Sequence, residues 1–439
     1  MAVLRTALTI PAAPTLRAPS VLVDDPVGVP APGVGDGGGL SSLYLSGGAR
    51  VGTRTDTESL GPRSHIVGVI DGLRQEQVAV RSVIVGDRSS PLVAGPGSDR
   101  RMQSGRVTRL AADVARQSLR WRTRREVAGI LDRADFDFVY ERYSLYQDLG
   151  VEAVKRQVPW VLEVNALLSV EASRHRRATS SLHLARRAEL AALSRADLLV
   201  CVSEPLAEMV VNVHKIPRDR VYVLPNGVSA ERFERCAPVS DAGPDLVVGF
   251  VGALYAWQEL DLLLHAVRRD TTGRIRVRIA GGGVAGARLT ELVDELGLHD
   301  RVELLGRVTP EGVPAFLDSV DVGFAGHRVS SGTYFSPLKV WEYLAAGRPV
   351  LASRHATTES LAGEGFALDL FEAGDVDDLG AGLQRCLDAR TSMARQAAAT
   401  RARIGLEHSW RARVRTLLDE MAARGLVRST ARTPAVAGE

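Results

Sequence analysis

Residues 335–353 read FSPLKVWEYLAAGRPVLAS. Ser336-Pro337 is a helix start, with Ser as N-cap and Pro at the first helical position. Gly347 suits the residue just past a helix end and Pro349 forbids continuation. The spacing predicts a helix over 337–346, with Leu338, Trp341 and Ala345 on one packed face. DVGFAGH (321–327) before it and RPVLAS (348–353) after it are apolar runs of strand length. A strand–helix–strand unit makes neighbouring parallel strands.

The same rhythm runs outward in both directions. DLVVGFVG (245–252), RIRVRIAGGG (274–283) and RVELLGRV (301–308) read as strands, separated by the helical stretches ELDLLLHAVRR, ARLTELVDELGL and VPAFLDSV. Upstream, SSLYLS (41–46), AVRSVIVGD, DFVYERY, PWVLEVNA, ADLLVCVS and RVYVLPNGV are further strands, with helices over 64–76, 104–133 and about 182–195. Residues 379–404 and 408–425 are helical. Alternation throughout means an α/β protein of two Rossmann-like, doubly wound parallel-sheet domains facing a cleft, with ligands beyond the carboxyl ends of the strands.

Composition sets bounds on this reading. A chain of 439 residues is long enough for two moderate domains, and 45% apolar with 24% charged residues is globular composition. No eighteen-residue apolar run exists, so no integral membrane association is expected. Pro11 and Pro14 break the short apolar start, which argues against a cleaved signal peptide and for a cytoplasmic location. A net charge of +3 is too small to imply nucleic acid. Cys201, Cys236 and Cys386 fit neither a metal spacing nor a disulfide framework, so no metal is expected. Two Arg-dense stretches, SLRWRTRREVAGILDR and SRHRRATSSLHLARRAE, read as solvated helix faces.

Only three of the 55 basic residues are lysines, and one is Lys339. It lies three residues from Glu342, on the same helix face. The free amides around Leu338 and Lys339 make an anion site at a helix N-terminus, which the loop GTYFS approaches. One turn on, a carboxylate can accept from a vicinal diol. Amides, a lysine and a carboxylate so arranged describe a nucleotide-diphosphate site. The residues alone favour a surface Lys339–Glu342 ion pair on an ordinary helix over that site.

FSPLKVWEYLAAGRPVLAS resembles the nucleotide-sugar motif of the retaining glycosyltransferases of family 4, which have the GT-B fold, and is nearest the subgroup with an S-P-L-K-x-x-E-Y motif. From about residue 138 onward, FVYERYSLYQDLG, PWVLEVNA, ADLLVCVSEPL, VYVLPNGVSAERF, VGFVGALYAW, RIAGGG and LGRVTPEGVPAFLDSVDVGFA fall in that family's order. The resemblance implies that Glu342 binds the donor ribose. Lys339, Ser336, Leu338, Tyr334 and Phe335 would lie near the diphosphate and donor sugar, with Gly252 and Gly282 in turns facing them. Arg307 and Val308 match the stretch beside the nucleobase. Lys339 and Glu342 are the candidate catalytic residues, and Glu141, Arg142, Glu163 and Asn165 would face the acceptor, unless Glu141 and Arg142 form a mutual ion pair.

Two departures stand out. The position eight before Glu342 is Tyr334, where many members have a second glutamate. VGALYAWQEL lacks the Arg or Lys that members place beside the leaving diphosphate; Ala253, Tyr255 and Gln258 stand there instead. Lys339 would then carry more of that charge, with Arg328, Arg50 or Arg54 as helpers. Pro-, Gly- and Ala-rich composition marks 1–40 as a flexible extension, and 427–439 reads as a flexible tail; the resemblance implies an acceptor domain 41–230, a nucleotide-sugar domain 231–408 and a helix 409–426 packing back on the first domain.

The expected activity is metal-independent transfer, with retention, of a hexose-type sugar from a UDP- or GDP-sugar to a small-molecule acceptor, as in natural-product biosynthesis. The co-substrate is the nucleotide sugar and no separate cofactor is expected. The alternatives are a catalytically impaired homologue, a transferase acting on lipid-linked or polysaccharide acceptors, and a different GT-B enzyme such as an inverting transferase or an epimerase.

Overall fold

A computed structural model describes residues 39–54, 60–88, 106–174, 179–239, 243–328 and 336–429. Tyr334 and Phe335, nearly all of the 1–40 extension, most of the 427–439 tail and the GTYFS loop before Ser336 lie outside these residues.

The first sheet contains β1 (Ser41–Ser46), β2 (Ala79–Ile84), β3 (Phe138–Arg142), β4 (Trp160–Val164), β5 (Leu198–Cys201) and β6 (Val221–Val223), in the order β2-β1-β3-β4-β5-β6. Every pairing is parallel. Both faces of its central strands are covered, because alternate side chains feed different cores. Leu43, Val139 and Leu162 enter one, while Tyr44, Tyr140 and Val161 enter the other.

The second sheet contains β7 (Leu246–Val251), β8 (Ile275–Ala280), β9 (Val302–Gly306), β10 (Val322–Ala325), β11 (Val350–Ser353) and β12 (Leu368–Phe371), in the order β12-β11-β10-β7-β8-β9 and also all parallel. Its order reverses at β7 and β10, which puts a crevice beside the carboxyl ends of those strands. Structural neighbours described below share this GT-B architecture.

Five helices matter for the site and its surroundings: α1 (Leu60–Gln75), α2 (Arg106–Leu131), α3 (Leu182–Arg195), α4 (Leu338–Ala345) and α5 (Trp410–Ala423). One strand was not read from the sequence, and one helical reading is corrected. β12 is a four-residue edge strand that pairs only with β11, too short to show a period. The stretch 379–404 is not one helix but parts of two, Val376–Asp388 and Arg390–Glu407, which break at Ala389.

The chain passes between the sheets twice, and the two passages touch. Val228 N donates to the His408 carbonyl at 3.0 Å, and Trp410 N donates to the Val228 carbonyl at 3.1 Å. From there α5 lies on α1, and Val414, Leu417 and Met421 join the core that contains Ile66, Ile70 and Leu73. Glycines permit the approach: a Cβ at Gly72 would stand 2.7 Å from the Trp410 carbonyl oxygen.

Candidate functional site

Helix α4 begins one residue later than the sequence suggests. Pro337 occupies the N-cap position and no side chain caps the helix. Ser336 is engaged elsewhere: its Oγ accepts from the backbone N of Asn226 at 3.0 Å, and its carbonyl accepts from Asn226 Nδ2 at 2.8 Å. The expected N-cap is therefore a cross-link between the connecting segment 224–228 and the start of α4. Trp341 and Ala345 are buried as the spacing requires, while Leu338 is half-buried against the first domain's core.

Lys339 and Glu342 take separate partners. Lys339 Nζ sits 4.9 Å from the centre of the Phe250 ring. With the Gln258 amide oriented to satisfy both of its polar atoms, its oxygen accepts from Lys339 Nζ at 2.9 Å and its nitrogen donates to the Ala253 carbonyl at 2.5 Å. Burial pushes the Lys339 ammonium down to about 8, against a weaker opposing pull from Glu342. Glu342, one turn on, faces Arg232 at 4.0 Å. Burial raises its pKa, against the pull of Arg232 and then Lys339.

Behind Lys339 the backbone comes close. Gly252 has φ +140°, which an L side chain rarely adopts, and a Cβ there would fall 2.8 Å from Lys339 Cε. Gly282 lies against Arg307, whose Nε a Cβ would meet at 2.8 Å. Val308 is half-buried in the core beneath α4.

The first domain presents a polar cluster at the ends of β3 and β4. Glu163 is buried and accepts from Tyr140 Oη at 2.5 Å, from Arg142 Nη1 at 3.0 Å and from Asn165 Nδ2. His65, on α1, completes it: Nδ1 is 3.0 Å from Arg142 Nη1 and Nε2 is 3.3 Å from Glu163. Burial, helped by Arg142, lowers the His65 pKa to about 4 against the pull of Glu163. Neutral His65 can thus accept from Arg142 and donate to Glu163. Burial works to raise the Glu163 pKa, but His65, Arg142 and its two neutral donors outweigh it and hold the carboxyl low.

Glu141 is a correction. Its side chain is fully buried and does not reach the cleft; its two oxygens accept the backbone N–H groups of Leu149 and Gly150 at 3.0 and 2.7 Å. Burial raises its pKa to about 8 even against those bonds. The Glu141–Arg142 ion pair does not form, since strand alternation sends the two side chains to opposite faces.

Between the two halves lies a cavity of about 280 Å³, and His65, Arg142, Asn165, Trp257, Lys339 and His355 are among the residues that line it. The structure thus brings Arg142 and Asn165 to one wall and Ser336, Leu338 and Lys339 to the other. Glu163 stands behind the first wall; Gly252, Gly282, Arg307, Val308 and Glu342 flank the second without lining this cavity. Arg328 pairs with Asp261 at 3.1 Å. His65, Asn226, Arg232, Trp257 and Gln258 were not singled out as contacts by the sequence. Only Gln258, in the loop where a base was missed, carried a signal.

Comparisons with known proteins agree with this architecture. A family model described as Glycosyltransferase Family 4 matches residues 61–232, and one described as Glycosyl transferases group 1 matches residues 245–389. A D-inositol 3-phosphate glycosyltransferase of Nocardia farcinica is 28% identical over 73% of this chain and 71% of its own length. A Bacillus subtilis glycosyltransferase named for teichuronic acid biosynthesis, TuaH, is 25% identical over 40% of this chain and 45% of its own. Among solved structures, sucrose-phosphate synthase from Thermosynechococcus elongatus aligns with TM-score 0.64 and 16% identity, over 88% of this chain and all of its own. Anabaena Alr3699/HepE in complex with UDP aligns with TM-score 0.60 and 14% identity over the same shares. These structural likenesses concern the fold.

Proposed function

Starting from a chain that carries a glycosyltransferase domain in each half of a GT-B fold, we propose that it moves a hexose-type sugar, with retention of configuration, from a UDP- or GDP-sugar to an acceptor held on the first domain. The observation that carries this reading is Lys339. It is an ammonium pushed down by burial, hydrogen-bonded to a neutral amide, at the N-terminus of a helix and on the wall of a cleft. That placement disfavours the charge until an anion arrives. A diphosphate supplies it, and the backbone N–H groups of Leu338 and Lys339 add donors.

In this reading Glu342 receives the ribose hydroxyls, released from Arg232, and Arg307 borders the nucleobase. As the bond from the sugar to the diphosphate breaks, negative charge grows on the leaving oxygen and Lys339 stabilises it. The acceptor hydroxyl attacks from the same face, and its proton passes to that leaving oxygen. Arg142 and Asn165 orient the acceptor, while Glu163 and His65 hold Arg142 in place. Glu141 has no part in the step. No metal enters this scheme, and the acceptor is a small molecule with a neutral hydroxyl.

One observation favours a second reading, a homologue that binds nucleotide with impaired transfer. The loop 252–259 supplies Gln258 where a base would neutralise the leaving group, and Arg328 is committed to Asp261. Titration of UDP and GDP into wild type and Lys339→Ala decides whether the site binds nucleotide. Hydrolysis or transfer of a matching nucleotide sugar then separates the two readings, and an inverted product would refute the mechanism.

A further inference from the structure

Loop 252–259 holds Gln258 against Lys339, and its far end is built against ordinary backbone preference. Glu259, between Gln258 and the helix Leu260–Arg269, has φ 54° and ψ 28°, the left-handed region that favours glycine. It is also fully buried, with 0% of its surface exposed. A buried carboxyl and a left-handed backbone are each unfavourable, and a residue that combines them persists only where its surroundings over-determine it. Glycine at this position would avoid both.

The side chain supplies the reason. Glu259 Oε2 accepts from Ser353 Oγ at 2.9 Å, and Ser353 Oγ in turn accepts from the backbone N of His327 at 2.7 Å. Ser353 is the last residue of β11, and His327 lies two residues past β10. One hydroxyl thus ties the loop after β7 to the carboxyl ends of two further strands of the sheet. Burial raises the Glu259 pKa, against the pull of the Ser353 hydroxyl and then of the Gly374 backbone N–H. Two more contacts fix the adjoining backbone. Arg328 N donates to the Trp257 carbonyl at 2.8 Å, and a Cβ at Gly326 would fall 2.7 Å from the Gln258 carbonyl oxygen. Gln258 is therefore caught between two anchored neighbours, with its amide between Lys339 Nζ and the Ala253 carbonyl. Trp257, 39% exposed, is set on the cavity wall, with the Tyr255 ring stacked at 5.7 Å and the His327 ring at 4.9 Å.

We propose that Glu259 is a positioning residue: through Ser353 its side chain locks 255–259 to the ends of β10 and β11, and so holds Gln258 on the Lys339 ammonium and Trp257 on the wall of the cavity. Glu259 does not line that cavity and acts on a bound anion only through Gln258 and Lys339. Its effect on binding rests on the reading of Lys339 as the cation for a diphosphate; the anchoring itself does not.

The full chain is compared with Glu259→Gly, Glu259→Gln and Ser353→Ala. Glycine accepts the backbone angle, so the first variant removes the anchor without adding strain. Glutamine keeps an acceptor for the Ser353 hydroxyl. Loop position is read from Trp257, as the difference in emission and acrylamide quenching between each protein and its Trp257→Phe counterpart. Emission should shift to the red and quenching should increase in Glu259→Gly and Ser353→Ala, while Glu259→Gln stays at the wild-type values. Affinity for UDP or GDP, whichever wild type binds, should fall roughly three- to tenfold in the same two variants. It should fall no further when they are combined, because both remove one contact, and Glu259→Gln should restore it. A bond that only stabilises the fold lowers the melting temperature and moves neither readout. Two results overturn the proposal: Trp257 emission unchanged in both Glu259→Gly and Ser353→Ala, or emission that moves with nucleotide affinity intact. If wild type binds neither nucleotide, the reading of Lys339 fails and Trp257 emission alone decides the anchor.

Discussion

Replacing Lys339 by Met tests the proposed anion site in two opposite directions at once. In the empty protein the ammonium is held at about 8 by burial, against an ordinary lysine value of 10.5. A folded-state pKa lowered in this way means that the charge opposes folding at neutral pH, and that stability rises as pH climbs from about 8 toward 10.5. Lys339→Met removes that cost and should stabilise the empty protein at pH 7 by roughly 1–3 kcal/mol. A bound diphosphate reverses the preference and restores the charge. Nucleotide binding therefore takes up a proton above pH 8, and wild-type affinity should fall by about tenfold between pH 7 and pH 9. In the variant that slope disappears, and affinity at pH 7 drops by about 2 kcal/mol with the charge-assisted contact. Calorimetry with UDP and GDP at the two pH values, beside urea unfolding of both proteins, measures every quantity. A flat wild-type profile, or equal affinity in the two proteins at pH 7, refutes the assignment of Lys339 to the diphosphate.

Four further outcomes follow from the geometry. Gly252→Ala places a methyl 2.8 Å from Lys339 Cε at a backbone angle that alanine resists, so nucleotide affinity should fall along with stability, read by the same titration. Arg232→Met frees Glu342 of its ion pair and raises the carboxyl's pKa further; nucleotide affinity should then weaken on acidification at a higher pH than in wild type. Glu141, raised to about 8, favours folding below its ordinary value of 4.5 and loses that contribution as pH rises toward 8. Glu141→Gln should flatten the stability profile in that window, while Glu141→Ala costs about 1–3 kcal/mol through the unmet amides and leaves nucleotide binding unchanged. Gly72→Ala gains up to about 1 kcal/mol in helix propensity but pushes on the Trp410 carbonyl and Val414; the melting temperature should fall, and proteolysis should release α5.

The parts legible in the sequence were those governed by neighbours in the chain. Helix α3 was placed at 182–195 because apolar spacing and polar flanks fix its ends, and DLVVGFVG was a strand because a buried parallel strand is an unbroken apolar run. Lys339 was singled out by its rarity and its position in a helix start. What could not be read were contacts made across the fold. Ser336 looked like a cap because Ser before Pro is the local signal, yet Asn226, distant in sequence, claims its hydroxyl. Glu141 and Glu163 look alike in the strings YERY and LEVN, at the ends of adjacent strands. Which one meets Arg142 behind the cleft wall depends on strand register, and Glu141 sits opposite Leu162 while Arg142 sits opposite Glu163. His65 in HIVGVI reads as a core residue, and only the packing of α1 beside β3 brings it to Arg142.

Charge balance across the cleft explains why the single lysine matters more than the nearby arginine. Arg142 on the first wall already has Glu163 at 3.0 Å and a neutral imidazole beside it, so that wall is matched within itself. Lys339 on the opposite wall is matched by an amide oxygen, with Glu342 turned toward Arg232. An anionic group entering the cavity gains more on the Lys339 wall, because there the buried charge is not already neutralised at hydrogen-bond range. The loop 252–259 then has a role despite lacking a base: through Gln258 it holds the ammonium against Gly252 without cancelling it. A basic residue in that loop would repel Lys339 at this distance, and an acidic one would occupy it. Gln258→Glu should accordingly raise the Lys339 pKa, remove the pH dependence of nucleotide affinity between 7 and 9, and weaken binding throughout. Retention of the wild-type slope in that variant would show that Gln258 does not control the ammonium.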